Sequence, residues 1–215
     1  GGTGADGDEG SGGEGGDRDS SSIDASTDAI APGAYVLWAT WASQDGGEVQ
    51  GSIPLAEGVL YLTYEGQVAG LQTDGGTDDF LPVSTFLSPT VGNAPSGTTM
   101  IEVAGSSSTP DSLTFSQPVT NPVVAIYDLG VSFANTASVI VFDAPFTILS
   151  SGPNTSGTGY WGNGQLVVAE GGVSGVGGNG VVELEGTFTT IHWTNPADIP
   201  FASYTGLTVG VRAAR

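Results

Sequence analysis

Cysteine and lysine are absent from the 215 residues, and histidine and methionine occur once each. Without cysteine there is no disulfide framework, no thiolate nucleophile and no cysteine-based zinc site. The absence of lysine leaves three arginines against 23 acidic residues, a formal net charge of −20. Nucleic-acid affinity rests on neutralising phosphates with basic side chains, so DNA, RNA and anionic membrane surfaces are not expected as partners. No run approaches the roughly 20 apolar residues that span a bilayer, and no segment has the length and periodicity of an amphipathic helix. The first residues carry neither a basic n-region nor an apolar h-region. The expectation is therefore that a signal peptide or lipoprotein leader has been removed ahead of them.

Glycine, serine and threonine fill the space those residues leave. Residues 1–22, GGTGADGDEGSGGEGGDRDSSS, hold no aromatic or large aliphatic side chain, so the segment cannot bury enough surface to offset its ordering entropy. Residues 1–32 read as an acidic, low-complexity tether or assembly arm. Within it, Ile23 and Ala25 alternate with polar residues as a marginal strand that could add to a neighbour's sheet.

Residues 33–215 have a different texture. Short β-branched and aromatic runs such as VLYLTYEGQVAGL, SLTFSQPV and PVVAIYDLG are separated by Gly, Pro, Asn and Asp, the pattern of strands joined by turns. Leu113 and Phe115 alternate with Thr114 and Ser116, and Val182, Leu184, Gly186 and Phe188 alternate with Glu183, Glu185 and Thr187. Both patterns predict strands with one wet face. Nine or more strands at roughly ten-residue spacing predict an all-β fold, an antiparallel β-sandwich of jelly-roll type.

Candidate chemistry is sparse. His192 is the sole histidine, and its neighbours Ile191 and Trp193 fall on the opposite strand face, so it reads as a surface residue. No G-x-S-x-G elbow is present. Glu183 and Glu185 form an i, i+2 pair of the kind a glycosidase needs, but the spacing is that of any wet strand face. Glu102, Asp128 and Asp143 stand alone and read as edge or turn residues. Two glycine-spaced acidic runs, one with Asp6, Asp8 and Glu9 and the other with Asp74, Asp78 and Asp79, suit the hard oxygen coordination of calcium. The aromatic residues Trp38, Trp41, Trp161 and Trp193, with Tyr35, Tyr61, Tyr64, Tyr160 and Tyr204, are the raw material for a binding site. Tyr160 and Trp161, set among glycines in GYWGNG, are the pair placed to stack on a sugar or fill a neighbour's pocket.

The succession LTFSQPVTNPVVAIYDLG (113–130), VIVFDAPFTILSSGP (139–153), GYWGNGQL (159–166), GNGVVELEGTFTTIHWTNP (178–196) and YTGLTVGV (204–211) resembles the secreted bodies of bacterial proteins that carry PEP-CTERM sorting signals. The resemblance covers about residues 34–212 and implies an exported, cell-surface or matrix-associated β-sandwich with no assigned catalytic residues. The sequence departs from that pattern in lacking the Pro-Glu-Pro motif, apolar helix and basic tail. Its Gly/Asp-rich start is similar to the tether that follows the lipidated cysteine of bacterial lipoproteins.

Together these readings predict a non-enzymatic extracellular or cell-surface protein. It would associate with copies of itself as an oligomer or polymer, through strand edges left without lysine and through the N-terminal arm. The alternatives are a module that binds a surface polysaccharide through exposed Trp and Tyr, and a glycan-active enzyme.

Overall fold

The run AYVLWATWA does not form one strand. Its apolar residues serve two parts of the molecule, and the chain crosses between them at Ala39, whose N–H donates to the Val209 carbonyl at 2.8 Å. A computed structural model describes residues 34–72, 79–95, 100–105, 107–152, 162, 164–195 and 204–213. Among these, fifteen strands and one 3-10 turn, Val83–Phe86, make up the regular structure.

The strands, numbered in chain order, form one hydrogen-bonded path. One half runs β2 (Thr40–Asp45), β3 (Glu48–Leu55), β4 (Gly58–Glu65), β7 (Ser107–Thr120), β14 (Thr187–Asn195) and β9 (Ser138–Phe142). The corner is made by β12 (Gly172–Gly175) and β11 (Gly164–Ala169). The other half runs β13 (Gly178–Leu184), β8 (Val123–Leu129), β15 (Tyr204–Arg212), β6 (Met100–Ala104) and β5 (Val68–Gln72). Two strands lie off the path: β1 (Val36–Trp38) pairs with β15, and β10 (Phe146–Gly152) pairs with β13. Every pairing is antiparallel except a two-residue contact of β11 with β13. The two ends of the path approach each other, β2 lying against β5 and β6, so the sheet nearly closes into a barrel.

One core fills the space between the halves. Trp41, Leu62, Phe115 and Ile191 come from the first half, and Val103, Ile126, Val182 and Val209 from the second. The expected alternation at Leu113 to Ser116 is present, with Leu113 and Phe115 buried and Thr114 and Ser116 exposed. The expectation of one wet face fails in the second half. On β8, Val124, Ile126 and Leu129 enter the shared core, whereas Val123, Ala125 and Tyr127 pack under Phe80, Phe86 and Val91. Segment 79–95 thus covers the outer face of β8 and β13, and these strands have no wet side. A strand buried on both faces needs a near-continuous apolar run, which VVAIY supplies.

A second correction concerns the stretch read as one strand from Val182 to Phe188. It breaks at Glu185–Gly186, where Gly186 takes φ +141°, a region open mainly to glycine. The chain then passes from β13 in one half to β14 in the other. Asn121 clasps this corner: its N–H donates to the Gly186 carbonyl at 2.8 Å and its Oδ1 accepts the Gly186 N–H at 2.9 Å.

Candidate functional site

The outer face of β2, β3, β4, β7 and β14 is a broad sheet face that no described segment covers, and strand register fixes what it presents. Alternation sends Leu60, Leu62 and Tyr64 of β4 inward and Tyr61, Thr63 and Glu65 outward. Neighbouring strands lie about 4.8 Å apart, so outward residues in register form rows across the sheet. The middle row is Ser43, Gln50, Thr63, Thr114 and Thr190. Its members are linked: the Thr63 hydroxyl donates to Gln50 Oε1 at 3.2 Å, and the Thr114 and Thr190 hydroxyls lie 3.2 Å apart. On one side runs Asp45, Glu48, Glu65, Ser112 and His192. The other flank contains Thr40, Ser52 and Tyr61, with the Ser116 hydroxyl accepting the Tyr61 N–H at 3.0 Å. Tyr61 is 62% exposed, and none of these residues is basic apart from His192.

Two carboxylates are set into the fold elsewhere, Asp111 fully and Asp128 partly buried. Asp111 on β7, 1% exposed, accepts the Tyr64 hydroxyl at 2.9 Å and the Gln67 N–H at 3.0 Å on one oxygen. Burial raises its pKa, and the two hydrogen bonds oppose that rise. The Tyr64 phenol is raised too, first by burial and then by the charge and hydrogen bond of Asp111. Asp128, at the end of β8, sits at φ +57° and accepts the Gly162 N–H at 2.7 Å. Beside it the fully buried Asn179 accepts the Asp128 N–H at 2.9 Å and donates to the Gly162 and Gly177 carbonyls at 3.1 and 2.9 Å. Gly162 has no room for a side chain, since a Cβ there would meet Gly177 Cα and Asp128 Oδ1.

Burial pushes the Asp128 carboxyl from 3.8 to about 6, against the pull of the Gly162 hydrogen bond. The folded value lies above the unfolded one, so this group's contribution to stability is complete below about pH 4 and is lost as pH rises through about 6. Solvent reaches part of the carboxylate, which reduces the effect to about 1–2 kcal/mol. Asp128→Asn keeps an acceptor for Gly162 and suits a positive φ better. It should raise the thermal midpoint near neutral pH and flatten its dependence between about pH 4 and pH 7. An unchanged slope in thermal melts across that range would show that Asp128 is not the titrating group.

The candidates read from the sequence fare unequally. Asp6, Asp8, Glu9, Asp74, Asp78, Tyr160, Trp161, Ile23 and Ala25 lie outside the described residues. Asp79 is described and buried beside Phe80 at the start of the covering segment, and no group of three metal-ligating side chains occurs among the described residues. Glu183 is ion-paired with Arg212, which also donates to the Thr90 and Asn121 carbonyls. Glu185 accepts the Thr147 hydroxyl at 2.7 Å. The two carboxylates therefore have separate structural partners. His192 is exposed, as its position between Ile191 and Trp193 predicts, and its N–H donates to Asp143 Oδ1 at 3.1 Å. A cavity of about 20 Å³ lies between the halves, lined by Trp41, Tyr64, Phe142 and Trp193 among others. Its walls are apolar and it is far below the roughly 300 Å³ of a ligand pocket.

Among the described residues, open strand sides are interrupted by devices other than lysine. β2, β5 and β10 each carry a one-residue register shift, at Ala42, Ala69 and Leu149. On β1, the Asn93 side chain accepts the Val36 N–H at 2.7 Å and donates to the Val36 carbonyl at 2.9 Å. On β11, the Ser151 hydroxyl does the same for Leu166 at 2.7 and 2.9 Å. Bulges and side-chain plugs both interrupt the template on which another chain could pair.

Comparison with protein-family models, curated proteins and solved structures found no match.

Proposed function

We propose that this protein is an exported, non-catalytic structural component of a bacterial cell surface or extracellular matrix. Its folded-over sheet acts as a jelly-roll-like sandwich, and copies associate through the N-terminal arm around Ile23 and Ala25. The observation that carries this reading is the use of the polar side chains. Asn93, Asn121, Asp143 and Ser151 complete backbone ladders, and Glu183, Glu185 and Asp111 hold fixed structural partners. Side chains held in this way favour durability over proton transfer.

The interrupted edges favour the arm over the body's strand edges as the element through which copies associate. Deleting residues 1–32 is expected to leave a folded body with an unchanged β-type far-UV spectrum that no longer self-associates. If the truncated body assembles as the intact chain does, the arm is not the association element and the proposal fails.

A further inference from the structure

We propose that the outer face of β2, β3, β4, β7 and β14 binds a neutral polysaccharide, with Tyr61 as its stacking platform and Gln50, Thr63, Thr114 and Thr190 as its hydrogen-bonding row. This goes beyond the structural role proposed above and uses a different part of the molecule.

Four observations converge on the face. No described segment covers it: the inner faces of both halves share one core, and segment 79–95 lies instead over the outer face of β8 and β13. It is also preordered. The Thr63 and Gln50 side chains, and the Thr114 and Thr190 hydroxyls, already hold one another at 3.2 Å, so little side-chain freedom remains to be lost on binding. Hydroxyls both donate and accept, matching a ligand whose own groups are hydroxyls. The row advances by one strand, about 4.8 Å, per residue, close to the length of a sugar ring along a polysaccharide chain.

The third observation is Tyr61. An aromatic ring gains by leaving water, yet this one stays 62% exposed while its strand neighbours Leu60, Leu62 and Tyr64 are buried. A sugar ring offers a flat C–H surface on which such a ring can stack. The fourth is charge. Asp45, Glu48 and Glu65 lie in adjacent register positions along one flank, and among the described residues no arginine stands on the face. Acidic polysaccharides and nucleic acids are thereby repelled, which leaves an uncharged glycan as the fitting occupant.

The test is retention of the full chain in affinity electrophoresis gels containing β-glucan, α-glucan, mannan or, as the polyanion, alginate. At least one neutral polymer should retard the protein, and alginate should not. Tyr61→Ala should weaken retention about tenfold, roughly one aromatic contact, with an unchanged thermal midpoint because the side chain is exposed. Thr63→Val with Thr114→Val should weaken it as well. Trp161→Ala and deletion of residues 1–32 should leave it unchanged, and Tyr61→Ala should leave self-association unchanged. The proposal is overturned if no neutral polymer retards the chain or alginate does so equally. It is also overturned if Trp161→Ala abolishes retention while Tyr61→Ala does not, or if Tyr61→Ala removes self-association, which would make the face a contact between copies.

Discussion

Trp193→Ala should lower the unfolding free energy by about 3–5 kcal/mol, the cost of emptying a buried indole site. The side chain is 5% exposed and its ring lies 5.8 Å from Tyr64 and 6.1 Å from Phe142. Its indole N–H has no acceptor among the described residues, so the residue contributes through apolar area and not through a hydrogen bond. The neighbouring cavity of about 20 Å³ shows that the surrounding side chains leave space unfilled, so collapse around a further void would be incomplete. For a chain of this size the expected fall in thermal midpoint is roughly 6–20 °C. His192→Ala, one residue away on the wet face, should change stability by no more than about 0.5 kcal/mol. Denaturant unfolding of the two variants checks the contrast, and equal losses would mean that β14 does not face the core as described.

A second large effect is expected at Asp111. Alanine there would strand the Tyr64 hydroxyl and the Gln67 N–H, both of which donate to the same carboxylate oxygen, at about 1–3 kcal/mol for each buried group left unpaired. Asparagine keeps an acceptor and removes the buried charge. Since burial raises the carboxyl pKa, the charged form is the one the fold disfavours, and stability from this group is lost as pH rises through its folded value. Asp111→Asn should therefore be far milder than Asp111→Ala at neutral pH. If the two variants lose the same stability, the carboxylate does not serve as the acceptor for both donors.

The strands and their facing were legible wherever alternation was regular. Leu113, Phe115 and His192 lie where a period of two puts them. The same period misled at Val182 to Phe188, because alternation through Glu185–Gly186 is identical whether a strand continues or stops and resumes in the other half. Only the positive φ at Gly186 separates the cases, and glycine is too frequent in this chain for one to stand out. Burial of β8 on both faces left a trace in VVAIY, a run without a polar residue, but its cover comes from segment 79–95, distant in sequence. Asp128 gave no signal, since Gly162 and Asn179 are 34 and 51 residues away. The lack of lysine suggested bare strand edges. The described strands interrupt them with bulges and with Asn and Ser side chains, devices that depend on register and so cannot be read from composition. Tyr61 was one of nine tryptophan and tyrosine candidates, and only register with Ser52 and its 62% exposure set it apart.

The central claim is that the protein acts by association and not by turnover. Light-scattering molar mass of the intact chain over a wide concentration range, with reducing-sugar release from polysaccharide followed in the same samples, tests it most directly. The account predicts species heavier than the 21.5 kDa chain, growing with concentration, and no sugar release. A strictly monomeric chain that cleaves polysaccharide, with activity lost in Glu183→Gln, would contradict it.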